Sequence, residues 1–196
     1  MSQPRACRER VGPLCRGLRR DLAALGVAAL VGAAALVGVG AAAVGCGGAQ
    51  FDGTVYRGEG VAFRIPSPPG HWERVDHSHA LAFRDERTSA MILFNARCGL
   101  DGDDIPLSAL TNHLFMQFTD KQLETQEVVP FDEREAMHTR MVASLDGVPL
   151  RYDAWVLKKD GCVYDMLYFA EPARFEAGYG AFSSMVRQFA TLDPEA

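Results

Sequence analysis

The sequence predicts an α+β fold: an α/β/α sandwich with a mostly antiparallel, twisted sheet flanked by helices, preceded by an N-terminal signal or anchor helix. Three observations lead there. Eight short segments alternate like strands and are punctuated by turn residues. Two stretches carry apolar side chains at helical spacing. The first 45 residues differ in composition from everything after them.

That first segment sets the address. Six arginines (Arg5, Arg8, Arg10, Arg16, Arg19, Arg20) precede residues 22–45, a run without charge that ends Ala43-Val44-Gly45-Cys46. A basic start, an apolar middle and small residues before a break are the pattern of a secretory signal. With cysteine first after the break, the pattern resembles a bacterial lipobox, whose thiol is acylated; Ala43 stands where leucine is usual. The expectation is a cleaved lipoprotein signal over residues 1–45, with Cys46 as the lipidation site. An uncleaved N-terminal span is the alternative, although ten Ala and five Gly make the run weakly apolar. Gly38-Val39-Gly40-Ala41-Ala42-Ala43 imitates a dinucleotide fingerprint but lacks the strand, helix and carboxylate that would make it one.

Residues 46–54 read as a short tether and residues 55–196 as one domain, large enough for its own core. The first strand is 60–65, stopped by Pro66, and a turn cluster precedes a short strand at 72–75 with Trp72 as a core anchor. Residues 80–85 and 90–98 form a hairpin whose second arm starts apolar on both faces and is therefore buried on both. Leu107, Leu110, Leu114 and Phe118 line one face of a helix that starts near Pro106. The carboxylates of Asp103 and Asp104 suit the positive end of that helix. An edge strand at 123–129 ends at Pro130. Residues 135–145, 150–158 and 162–170 follow as a meander turned at Asp146-Gly147 and Asp160-Gly161. Phe175, Tyr179, Phe182, Val186 and Phe189 share a face of the last helix, whose first turns are weakened by Gly178 and Gly180.

Without residues 1–45, the chain carries 14 basic residues against 23 acidic, a net charge of −9. Such a domain is repelled by phosphate backbones, which excludes nucleic acid as a partner. Contact with the membrane falls to the N-terminal lipid or helix. Of five cysteines, Cys98 and Cys162 remain in the domain. In an exported protein they either bridge or sit as two buried thiols.

The opening Tyr56…Gly60-Val61-Ala62-Phe63-Arg64-Ile65-Pro66…Trp72 resembles the start of PsbP-like domains. The close does too, in Asp146-Gly147…Asp160-Gly161-Cys162-Val163-Tyr164…Phe175…Phe182…Met185-Val186…Phe189. The resemblance covers about residues 54–190. It implies a sandwich that binds partners, as do accessory subunits of the oxygen-evolving complex, a Ran-binding transport factor and assorted bacterial lipoproteins. It implies no shared catalytic constellation and carries no functional residue over.

Chemistry-bearing clusters are few. Asp76, His77 and His79 could form part of a zinc or copper site, with two imidazoles on one side of an extended segment; the plainer reading is a solvated polar loop, so no metal is expected. Asp101-Gly102-Asp103-Asp104 lacks the order of a calcium loop and is explained by the helix start. His113 and His138 read as surface or core residues. Asp132, Glu133 and Glu135 read as an exposed charged turn. Ser183 and Ser184 lie within the last helix and not on a nucleophile elbow. No catalytic residue and no cofactor is expected. The sequence therefore points to a non-enzymatic, lipid-anchored protein of the cell envelope, facing the periplasm or the exterior, that docks on an unknown envelope protein as an accessory or assembly module. A small-ligand- or metal-binding lipoprotein serving a transporter, and a membrane-spanning protein of the same fold, are the alternatives.

Overall fold

The computed structural model describes residues 49–77, 80–99 and 105–195. The signal run, Cys46, His79 and the acidic loop 101–104 lie outside them. The architecture is built on a seven-stranded sheet of β4 (Glu73–Val75), β5 (Ala80–Asp85), β6 (Ala90–Cys98), β7 (Thr119–Phe131), β8 (Arg134–Leu145), β9 (Val148–Lys159) and β10 (Cys162–Ala170). Its order is β4-β5-β6-β10-β9-β8-β7, and every neighbouring pair is antiparallel.

Alternation along the strands assigns the two faces. Leu93, Met141, Tyr152, Ala154 and Leu167 pack under α1 (Leu107–Leu114) and the residues just after it, Phe115 and Phe118. Phe94, Leu157, Tyr164, Met166 and Tyr168 face the other way, toward Phe175, Phe182, Met185 and Val186 of α2 (Phe175–Arg187). Tyr164, Met166 and Tyr168 thus share one face of β10 and form its core side. The strands in the middle of the sheet are covered on both faces, as the doubly apolar start of β6 demands.

The sequence reading missed a second sheet. β1 (Gln50–Phe51), β2 (Val55–Gly58), β3 (Val61–Arg64) and β11 (Ala190–Leu192) form a four-stranded antiparallel unit in the order β1-β2-β3-β11. Its Tyr56, Val61 and Phe63 join the α2-side core. Hence the described part of the segment read as a tether, from Ala49 on, is structured. Asp52 explains why: its Oδ1 accepts from the backbone N–H groups of Thr54 and Val55, closing the turn that lets Gln50-Phe51 pair with Tyr56-Arg57.

Other boundaries shift for physical reasons. α1 stops at Leu114, and Phe118 reaches the core from the turn beyond it. α2 runs straight through Gly178 and Gly180. A Cβ on Gly178 would lie 2.7 Å from the Tyr168 hydroxyl and 3.2 Å from the Trp72 ring, so the missing side chain admits close helix–sheet contact there. β7 continues past Pro130 to Phe131, because it is an edge strand and an edge tolerates a missing N–H. The two Asp-Gly turns stand as expected, with both residues at positive φ: Asp146 51° and Gly147 79°, Asp160 53° and Gly161 73°.

Candidate functional site

One helix cannot cover a seven-stranded sheet. α2 lies over β10 and β6 and leaves the β7–β9 end of its face beside it partly bare. A cavity of about 320 Å³ opens there, walled by Val129, Phe131 and Trp155 of the sheet, Tyr179, Phe182 and Val186 of α2, and Phe189 just beyond the helix. Along the sheet wall the rings stand in file. Phe189 stacks on Phe131 at 5.8 Å between centroids, Phe131 meets Trp155 at 5.1 Å, and Trp155 stacks on His138 at 4.2 Å.

Behind this wall sits Asp153, with no solvent exposure. Trp155 Nε1 donates to its Oδ1 at 2.9 Å and Arg140 Nε to its Oδ2 at 2.7 Å. His138 Nε2 lies 3.1 Å from both oxygens, and since a carboxylate only accepts, it fixes the proton on that nitrogen. Arg140 also donates to the Tyr179 hydroxyl and lies over the Tyr179 ring at 4.8 Å. Burial pushes the Asp153 carboxyl upward, but hydrogen bonds and charge from His138 and Arg140 outweigh it, and the pKa ends below its ordinary value. In Arg140, likewise, burial is outweighed by Asp153 and the group stays firmly charged.

The arrangement is a brace. A general base needs a free lone pair aimed at a reacting proton; the Asp153 oxygens face three donors from the protein itself. What the carboxylate does is hold Trp155 directly, and Tyr179 through Arg140, so that two walls of the groove keep their orientation. Burial raises the Tyr179 pKa as well, so its hydroxyl stays protonated and serves the Arg140 contact as a neutral acceptor.

Asp132, at the tip of the β7–β8 hairpin, closes the far end. Read from sequence as part of a solvated turn, it is instead tied down: its Oδ2 accepts from Thr191 N (3.1 Å), Thr191 Oγ1 (2.8 Å) and Lys159 Nζ (3.2 Å). Burial opposes this carboxylate's charge, yet those donors bring its pKa below the ordinary value. Asp85 repeats the theme at the β5–β6 turn, accepting from Arg87 N at 3.0 Å and Thr88 Oγ1 at 2.9 Å.

The residues singled out from sequence are not assembled into one site. Cys98 and Cys162 are cross-strand neighbours on β6 and β10, joined by a disulfide with a Cα–Cα distance of 4.0 Å. Asp76 and His77 lie on the exposed segment after β4, and their proposed companion His79 is outside the described residues, as is Cys46. Among the described residues no three His, Cys, Asp or Glu side chains converge as metal ligands. Ser183 and Ser184 serve the helix, Ser183 Oγ accepting from Arg187 Nη1 at 2.5 Å. His138, read as an ordinary residue, belongs to the Asp153 cluster, which sequence reasoning missed. Its one sequence signal was the acid in Tyr152-Asp153-Ala154-Trp155, a charge placed mid-strand among residues that pack.

No family model and no curated protein matches the sequence. Solved structures do. The solution structure of cyanobacterial PsbP from Synechocystis sp. PCC 6803 superposes with a TM-score of 0.50 at 15% identity, over 76% of this chain and 96% of that one. The domain therefore has the PsbP-like fold. LpqN, described as involved in cell envelope biogenesis of Mycobacterium tuberculosis, aligns with a TM-score of 0.47 at 14% identity, over 66% of this chain and 82% of its own.

Proposed function

We propose that this chain is a non-enzymatic, partner-binding accessory or assembly module of the cell envelope, held at the membrane through lipidated Cys46 or an uncleaved N-terminal helix. The observation that carries the binding role is the groove beside α2. Its walls are aromatic, partly bare and braced from behind by a buried ionic cluster, as pre-organised binding surfaces are. The non-enzymatic reading draws support from Asp85, Asp132 and Asp153, three carboxylates whose oxygens are engaged by structural donors. The envelope reading draws support from the basic start, the apolar run and the cysteine that ends it. Among the described residues no helix is long and apolar enough to cross a membrane.

The cavity volume also lies at the lower end of small-molecule sites, which keeps a ligand-binding lipoprotein as the second reading. One experiment separates the two. A photo-crosslinking amino acid at Arg187, on the groove wall, is expected to trap a protein adduct in intact envelopes, and Trp155→Glu to abolish it. Groove ligand recovered by mass spectrometry without any adduct would instead favour the small molecule. Cys46→Ser is expected to remove palmitate labelling and release the chain from the lipoprotein pool.

A further inference from the structure

We propose that β7 receives the partner: an extended, basic segment of another protein adds as an eighth strand to the edge that no other described strand pairs, its basic side chains on the α2 face beside Glu127 and its apolar ones on the α1 face beside Val128 and Leu123. This rests on the docking reading above and names the surface and the chemistry it would use.

β7 closes one end of the sheet order and, at 13 residues, is its longest strand. Such an edge offers a row of backbone donors and acceptors, and proteins usually blunt it along its length. Here the register irregularities fall at one end and the outward-facing Pro130 blunts the other, which leaves the stretch between them open. Register shifts fall between Thr119 and Gln122 and between Leu123 and Thr125, whereas residues 125–131 pair with β8 in unbroken register.

Hairpin parity then sorts the backbone. Phe131 and Arg134 flank a two-residue turn in which Asp132 and Glu133 both take positive φ, 46° and 63°. Counting back from that closing pair, Phe131, Val129, Glu127 and Thr125 direct their backbone polar groups at β8, and Pro130, Val128 and Gln126 direct theirs outward. Pro130 therefore sits where its missing N–H costs β8 nothing. The outward N–H groups of Gln126 and Val128 and the outward carbonyls beside them form a short docking ladder.

Side chains specify what fits the ladder. Val128 is 51% exposed and Leu123 59%, two large apolar residues left in solvent on the α1 face. On the α2 face, Val129 and Phe131 belong to the groove wall, and Glu127 and Glu124 lie further back along the strand. From Asp120 to Glu135 the edge, its turn and the start of β8 hold six carboxylates against Lys121 and Arg134; Glu124 is paired with Arg151, and Asp132 and Glu133 with Lys159, so Glu127 is the edge strand's foremost charge on the α2 face. A second copy pairing through the same edge would set this acidic strip against itself, and like charges directly opposite destabilise a strand pair. A small molecule would have no use for the ladder. The complementary occupant is a strand that alternates apolar and basic residues, bound by β-augmentation.

The test uses the full-length chain in detergent and two capped peptides of about eight residues, one alternating lysine with valine and one alternating glutamate with valine. The lysine peptide is expected to slow amide exchange at Gln126 and Val128 by about tenfold or more, with protection weakening as salt rises. Val128→Pro removes an outward N–H and is expected to abolish that protection. Glu127→Lys, which leaves the backbone intact, is expected to weaken the lysine peptide and admit the glutamate one. Equal binding of both peptides, protection away from residues 123–131, or dimerisation through β7 in sedimentation would overturn the proposal. The envelope crosslink at Arg187 keeps the two readings apart. An adduct that survives in Val128→Pro sinks the edge and spares the docking role, whereas no adduct from the wild-type chain sinks the docking role itself.

Discussion

Asp153 concentrates at one residue what holds the candidate site together. Its neighbours in the strand, Tyr152 and Ala154, pack under α1, while Asp153 points to the opposite face and meets Trp155, Arg140 and His138. Truncating it would leave the Arg140 charge beside a desolvated gap, and breaking one side of a buried pair costs about 3–5 kcal/mol. Asp153→Ala is expected to lower stability on that scale in urea titrations, with Trp155 fluorescence changing as the ring loses its Nε1 acceptor. The pH dependence has a definite sign. The folded pKa lies below the ordinary 3.8 of the unfolded chain, so the contribution is complete above that value and is lost as pH falls through the folded pKa. Asp153→Asn, compared with wild type at about pH 7 and pH 3, is therefore expected to show a smaller loss of stability on acidification. An equal loss in both would mean that other carboxylates, Asp85 and Asp132 among them, dominate the acid limb.

Among the elements, α2 shows best why some features were legible in the sequence and others were not. The apolar stripe from Phe175 to Phe189 marked a helix and its buried face, because helical periodicity is a local property. Gly178 and Gly180 looked alike in that string, both helix-weakening, yet only tertiary packing separates them. Gly178 faces the Tyr168 hydroxyl, which donates to the Phe175 carbonyl at 2.7 Å, whereas nothing lies within 4 Å of a Cβ at Gly180. Gly180→Ala is thus expected to stabilise by about 0.5–1 kcal/mol through backbone entropy. Gly178→Ala gains the same propensity but must displace a buried tyrosine, and a net loss of about 1–3 kcal/mol is expected in thermal melts. If both stabilise, the close approach is not needed. The small sheet escaped for the same reason: β1, β2 and β11 are two, four and three residues long, too short to show a period, and they exist through pairing with β3 or with one another. The groove escaped because it is made of what α2 fails to cover, which depends on how many strands pair and in what order. His138 and Arg140 sit two apart on β8 and Asp153 on β9, and no spacing in the chain announces that the ladder brings Asp153 to them.

At the scale of the whole molecule, the disulfide joins the export reading to the stability of the fold. Cys98 and Cys162 are 64 residues apart in sequence, and the bridge encloses α1, the β7–β8 hairpin and β9, which include the sheet wall of the groove and its brace. In the folded state β6 and β10 are already paired, so the bridge adds little to the native contacts. Its effect falls on the unfolded chain, where closing a loop of that length removes conformational freedom worth about 4 kcal/mol in the chain-entropy model. Reduction with dithiothreitol, or the double substitution Cys98→Ala with Cys162→Ala, is expected to lower the denaturation midpoint accordingly and to leave near-UV circular dichroism unchanged at low denaturant. Alkylation under non-reducing, denaturing conditions should modify neither residue in protein isolated from cells. Two alkylated peptides would remove the crosslink and, with it, one physical reason for placing the domain in an oxidising compartment. An intact bridge would instead tie the fold's stability to the oxidising compartment proposed for the chain, since the same chain kept among cytosolic thiols would lose that contribution.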